Sequence, residues 1–167
     1  MRWLFSLVFV LVTLSSPALA QQSAPCGIGG QTKIFGCMDR INGAISTARP
    51  VLDGGQDIAI HGWTLSQWSL QQPAEVRIGY AGPRDATGQR PLLWLAPTDY
   101  TIHWRGHRPD VAAYFRRLMP ITSELWGYVV VIHPDVLPPG ETVLVVSFSD
   151  PAIGIGINFQ QAMITIQ

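Results

Sequence analysis

Charge is what this sequence has least of. Asp, Glu, Lys and Arg make up 13 % of its 167 residues, about half the usual share. The 11 acidic and 11 basic side chains cancel, so no basic face is on offer to a phosphate backbone and a nucleic-acid partner is not expected. Lysine is nearly missing: beyond residue 20, Lys33 alone accompanies nine arginines. GC-rich coding explains that balance more simply than recognition of carboxylate or phosphate does. Low charge here does not mean disorder. Hydrophobic residues reach 47 %, enough buried surface to offset the entropy of ordering one domain.

No apolar run is long enough to cross a bilayer. The longest, Trp3 to Leu14, has twelve residues, against the roughly 18 or more that a membrane helix needs. Arg2 precedes it, Pro17 breaks it, and Ala18-Leu19-Ala20 supplies a small-x-small cleavage pattern. That order is the signature of a secretory signal peptide. A lipid-anchored cysteine is not indicated, because Cys26 follows Pro25 well beyond the apolar run. The expectation is a signal peptide at 1–20 cleaved after Ala20, an N-terminal segment at 21–35, and one domain at 36–167. The exported chain would be periplasmic or extracellular, with no membrane span.

Cysteine is scarce as well. Cys26 and Cys37 are the only two, with ten residues between them. In an oxidising compartment they are expected to form a disulfide, which on the chain-entropy argument stabilises by roughly 2–3 kcal/mol. Zinc would need further ligands nearby, and Gly27-Ile28-Gly29-Gly30 supplies none.

Helical periodicity is almost absent from the exported part, and alternation with period two takes its place. Ile58 and Ile60 alternate with Asp57, Ala59 and His61; Val76, Ile78 and Tyr80 alternate with Glu75 and Arg77. Ile102 and Trp104 form a third such run. Trp126, Tyr128, Val130 and Ile132 share one face of a fourth. Thr142 to Phe148 is apolar on both faces, as a central strand should be, and Ala162, Ile164 and Ile166 close the set. Turn signals separate the runs at Asp53-Gly54-Gly55, Gly82-Pro83-Arg84-Asp85, Thr87-Gly88 and Pro138-Pro139-Gly140. This spacing predicts an all-β sandwich. Only Val111 to Leu118 reads as a helical turn, with Asp110 placed to cap it.

Several pieces in order resemble the bacterial immunoglobulin-like modules of exported and surface proteins. They are Gly62-Trp63, Val76-x-Ile78-Gly79-Tyr80, Arg108-Pro109-Asp110-Val111-Ala112, Gly127-Tyr128 and Leu137-Pro138-Pro139-Gly140-Glu141-Thr142. Gly36-Cys37-Met38-Asp39-Arg40-Ile41 is similar to the strand that opens such modules. The resemblance spans residues 36–167 and implies an immunoglobulin-like β-sandwich of about seven strands. About twenty residues, Pro83 to Ile102, stand where the family has a brief turn, and Trp126 before Gly127 is unusual. Such modules accompany hydrolases, adhesins and glycosyl-transfer proteins, so the resemblance implies fold and compartment more than a reaction.

Catalytic signals are missing at the level of motif. No G-x-S-x-G elbow occurs, and Ser147 and Ser149 lie in a buried-type strand. His103 and His107 are four apart, yet Gly106 breaks any helix that would bring them to one metal. Asp53 and Asp57 resemble a turn cap more than an acid–base pair, and fall short of the about 6–8 oxygens that calcium takes. On these grounds the chain is expected to be no enzyme and to need no cofactor or metal.

The aromatic residues are the lead that remains. Trp63 and Trp126 belong to strong strands and read as core. Trp68, between Gln67 and Ser69, reads as loop or edge; Trp104 is the third candidate with open access. Leu93 and Trp94 lie in an apolar stretch of the inserted segment, which must cover a sheet edge or meet a partner. Arg108 either clasps a ligand carboxylate or pins its own loop, the second being the simpler reading. The candidate contact residues are therefore Trp68, Leu93, Trp94, Trp104 and Arg108. The expected role is a binding or accessory domain that engages a cell-envelope or secreted protein, with a polysaccharide as the alternative.

Overall fold

Alternating apolar residues become strands because one face of each can then be buried against a second sheet. The computed structural model describes residues 34–66, 74–82, 84, 86–150 and 158–167. Seven strands have six residues or more: β1 (Ile34–Ile41), β4 (Ile58–Ser66), β5 (Glu75–Ala81), β7 (Tyr100–Gly106), β8 (Gly127–Ile132), β9 (Gly140–Ser149) and β10 (Asn158–Ile166). Three short ones lie at sheet borders: β2 (Ala44–Ile45), β3 (Val51–Leu52) and β6 (Leu92–Trp94). The molecule is an all-β sandwich, as its alternation predicts. The first sheet has the order β2-β1-β4-β8-β7 and the second β3-β10-β9-β5-β6.

The main core lies between the sheets. Ile58, Ile60, Val130 and Ile132 from the first meet Val76, Ile78, Leu144, Val146, Phe148 and Ile164 from the second. β9 is central and buried from Thr142 to Phe148 except for Val143, which accounts for its two apolar faces. The β1–β2 hairpin turns on Asn42 and Gly43, both at positive φ. That pair is a strong short hairpin signal, because its left-handed backbone matches the twist of the strands.

A second, smaller cluster lies on the outer side of the first sheet. The helix α1 (Pro109–Phe115) lays Val111, Ala112 and Phe115 over Cys37, Trp63, Leu65 and Trp126. Phe115 meets Trp63 edge-on at 5.7 Å and Phe35 at 5.1 Å. Two expectations are corrected here. Trp126 does not continue the face of Tyr128, Val130 and Ile132, since it precedes β8 and turns under the helix. Asp110 does not cap α1 by a side-chain bond; Arg108 occupies the N-cap position and Asp110 lies within the first turn.

The inserted segment proves to be structural. β6 pairs with β5 through Gly79↔Trp94, Tyr80↔Leu93 and Ala81↔Leu92. It extends the second sheet before the chain crosses to β7 in the first.

Candidate binding surface

Strand alternation decides which inserted residues act together. Leu92 and Trp94 pair with Ala81 and Gly79 and so share the outer face of the second sheet. Leu93 pairs with Tyr80 and belongs to the opposite face, so the expected Leu93–Trp94 patch is divided between the two sides. Trp94 lies across Gly79, where an added Cβ would come within 2.9 Å of its ring. From there the indole stacks with Phe159 of β10, ring centres 6.4 Å apart and planes 28° off parallel. The Arg77 guanidinium lies 5.3 Å from the Trp94 ring centre, within cation–π range.

Further apolar side chains share this face. Val51, Leu92, Trp94, Phe159 and Met163 are all exposed large apolar side chains. The registers put Val51 beside Thr165, Met163 beside Val143, and Phe159 beside Ser147. They therefore run from one border of the sheet to the other. Val145 and Ser147 point to the same side yet are each only 4 % exposed, which fits their lying between the strands that carry Trp94 and Phe159. Phe159, Met163, Leu92 and Val51 were missed in the sequence. The signal for two of them is an apolar residue on the polar phase of β10, at 159 and 163 among Gln161 and Thr165.

Trp104 and Arg108 are found elsewhere. Trp104 covers the open rim of the sandwich, edge-on to Tyr128 at 6.3 Å. Arg108 bonds Asp110 through Nε and Nη2 at 2.9 and 2.7 Å, and Asp39 through Nη1 at 2.5 Å. Asp39 occupies the irregular step in β1 between Met38 and Arg40, and such a bulge re-aims a side chain. Burial pushes the Asp39 carboxyl above its usual range despite the guanidinium, whereas hydrogen bonding to Arg108 holds Asp110 below it. The guanidinium is thus held between two internal acids, and the loop-pinning role is the one its geometry supports. Cys37 is buried beside Trp63, and no described cysteine is a free thiol. Cys26 and Trp68 lie outside the described residues.

Other polar groups meet only through the fold. Ser66 donates to the Asp150 carboxylate, joining the ends of β4 and β9, and both residues are buried. His107 meets Glu124 at 2.7 Å, and His133 approaches Thr101. His61 and His103 flank Val129 on the outer face of the first sheet. Among the described residues no group of three or more His, Cys, Asp or Glu is placed to hold a metal ion. A groove of about 440 Å³ opens at one end of the sandwich, lined by Tyr80, Asp135, Val136, Leu137, Ile166 and Gln167 among others.

No protein-family model and no curated protein matches the chain. Among solved structures it overlaps a family 123 glycoside hydrolase from Clostridium perfringens, described in connection with glycolipid glycan hydrolysis. Identity is 9 %, the TM-score is 0.41, and the overlap covers 81 % of this chain and 27 % of that one. The chain spans about a quarter of that enzyme's length, and a likeness this distant assigns no activity to this chain. It does correct one expectation. With a hydrolase among its structural neighbours, the chain is no longer taken to be without catalysis. The physical reason is that acid and base groups need nearness in space, which a search for sequence motifs does not test.

Proposed function

We propose that this chain is the binding domain of an exported protein, and that it docks a cell-envelope or secreted protein through the outer face of its second sheet. One observation carries the reading: five exposed large apolar side chains, Val51, Leu92, Trp94, Phe159 and Met163, share one sheet face. Exposed apolar side chains gathered on one face suit an interaction site, and an aromatic pair supplies the sort of anchor that dominates interface energy. The first sheet supports the contrast, because α1 covers part of its outer side. The immunoglobulin-like resemblance, the signal peptide and a Cys26–Cys37 disulfide belong to the same proposal, and all agree with an exported module.

The test is capture from the source cell envelope with the wild-type protein and with Phe159→Asp and Met163→Asp. A single identified protein recovered by the wild type and lost with both variants, while thermal unfolding stays cooperative, supports the reading. Equal recovery by all three rejects it.

A second reading rests on the exposed indole of Trp94, with the Arg77 guanidinium over its ring. That arrangement suits stacking against a sugar ring. It predicts a change in tryptophan fluorescence on adding soluble glycans, absent in Trp94→Phe. Silence across a broad glycan panel removes it.

A further inference from the structure

The border strands of the two sheets are not alike. β2 and β3 have two residues each and β6 has three, too short to template much pairing. β7 runs for seven residues without proline or lysine and is the longest of the four border strands.

The phase of the hydrogen-bond ladder decides which of its backbone groups are spare. The His133 N–H donates to the Asp99 carbonyl, and the Thr64 N–H donates to the Trp126 carbonyl. Antiparallel bonding alternates along a strand, and the register sets Thr101 against Val131 and His103 against Val129. Residues 101 and 103 therefore turn their N–H and C=O groups toward β8. Those of Tyr100, Ile102 and Trp104 point away from the sheet. Among the described residues no backbone group takes them up. The irregular step between Trp104 and Gly106 ends the regular edge on one side.

We propose that this edge pairs with the β7 edge of a second copy of the chain, antiparallel about a two-fold axis at Ile102. The two first sheets would then join into one continuous sheet. The segment's own symmetry identifies the occupant. In that register Ile102 stands opposite itself, Tyr100 of each copy stands opposite Trp104 of the other, and Thr101 opposite His103. Aromatic meets aromatic, aliphatic meets aliphatic and polar meets polar, the pairings that stabilise adjacent strands. Such an interface is isologous and closed, as two-fold dimers require. Tyr100 and Ile102 already pack on the core, and Trp104 rests against Tyr128, so little ordering is needed before pairing.

This seam is distinct from the outer face of the second sheet, and the two readings fail separately. Sedimentation of the purified protein across a concentration series is expected to show a monomer becoming a species of twice the chain mass. Ile102→Lys sets two ammonium groups face to face on the axis and is expected to remain monomeric throughout, whereas Ile102→Val is expected to dimerise. Amide hydrogen exchange supplies a readout that does not depend on the variants. Protection at Thr101 and His103 is expected at every concentration, and protection at Tyr100, Ile102 and Trp104 only where the dimer forms. A wild type that stays monomeric, a folded Ile102→Lys that dimerises unchanged, or a dimer whose three outward amides stay unprotected overturns the proposal.

Discussion

Gly62 and Tyr128 face each other in register across β4 and β8, and the tyrosine hydroxyl fills the space that a side chain at residue 62 would need. From there it donates to the Cys37 carbonyl at 3.0 Å. Glycine thus lets a fully buried phenol reach across β4 to the backbone of β1.

Gly62→Ala is expected to drive a methyl into that hydroxyl and into the Cys37 carbonyl. The cost should be roughly 3 kcal/mol, overpacking plus a disturbed buried hydrogen bond, read as a lower urea midpoint. Tyr128→Phe keeps the shape and loses only the bond, so about 1–2 kcal/mol is expected.

The same phenol gives a pH test. Burial raises the Tyr128 pKa well above its ordinary value of 10.0, so the folded state holds this proton where the unfolded state has released it. Stability from this group is full below pH 10 and declines as pH rises beyond it. Denaturation curves at increasing alkalinity should show that decline in the wild type and a shallower one in Tyr128→Phe.

Arg108 is the shared partner of Asp39 and Asp110, and its removal leaves Asp39 half-buried without its hydrogen-bonded cation. Arg108→Leu is expected to cost about 2 kcal/mol at neutral pH, in the range for charge-assisted bonds. The Asp39 pKa, already raised, should climb further. Protonation relieves the unpaired charge, so the gap between variant and wild type is expected to narrow on acidification. A gap independent of pH would show that the loss is one of packing alone.

Gly79→Val would place atoms against the Leu93 carbonyl and the Trp94 ring, which an added Cβ meets at 2.7 and 2.9 Å. The indole should lift from the sheet and part from Phe159. Near-ultraviolet dichroism should change in Gly79→Val as it does in Trp94→Phe, with a stability loss of about 1–3 kcal/mol.

Phe115→Ala is expected to cost about 3–5 kcal/mol, because Phe115 joins α1 to Trp63 and Phe35. Hydrogen exchange should rise first in α1 and β1, which bound the smaller cluster, and later in β9, which belongs to the larger one. Uniform loss of protection would mean that the two clusters unfold together.

The sequence by itself determined the layer architecture, because alternation of apolar residues is a local property that fixes which face of each strand is buried. Ile58 and Ile60, Val76 and Ile78, and Ala162, Ile164 and Ile166 point inward as their spacing requires. The turns at Thr87-Gly88 and Pro138-Pro139-Gly140 were equally plain, since Gly88 and Gly140 take the positive φ that glycine adopts most readily. What only tertiary structure decided depends on register between strands distant in the chain. Trp94 and Phe159 are 65 positions apart and meet because β6, β5, β9 and β10 lie side by side. Arg108 reaches Asp39 through a bulge that no local pattern announces. Which face takes Trp94 and which takes Leu93 followed from pairing with Gly79 and Tyr80, and a one-residue slip would have exchanged them. Periodicity assigns residues to faces; the order of strands assigns them neighbours, and the candidate binding surface is made of neighbours.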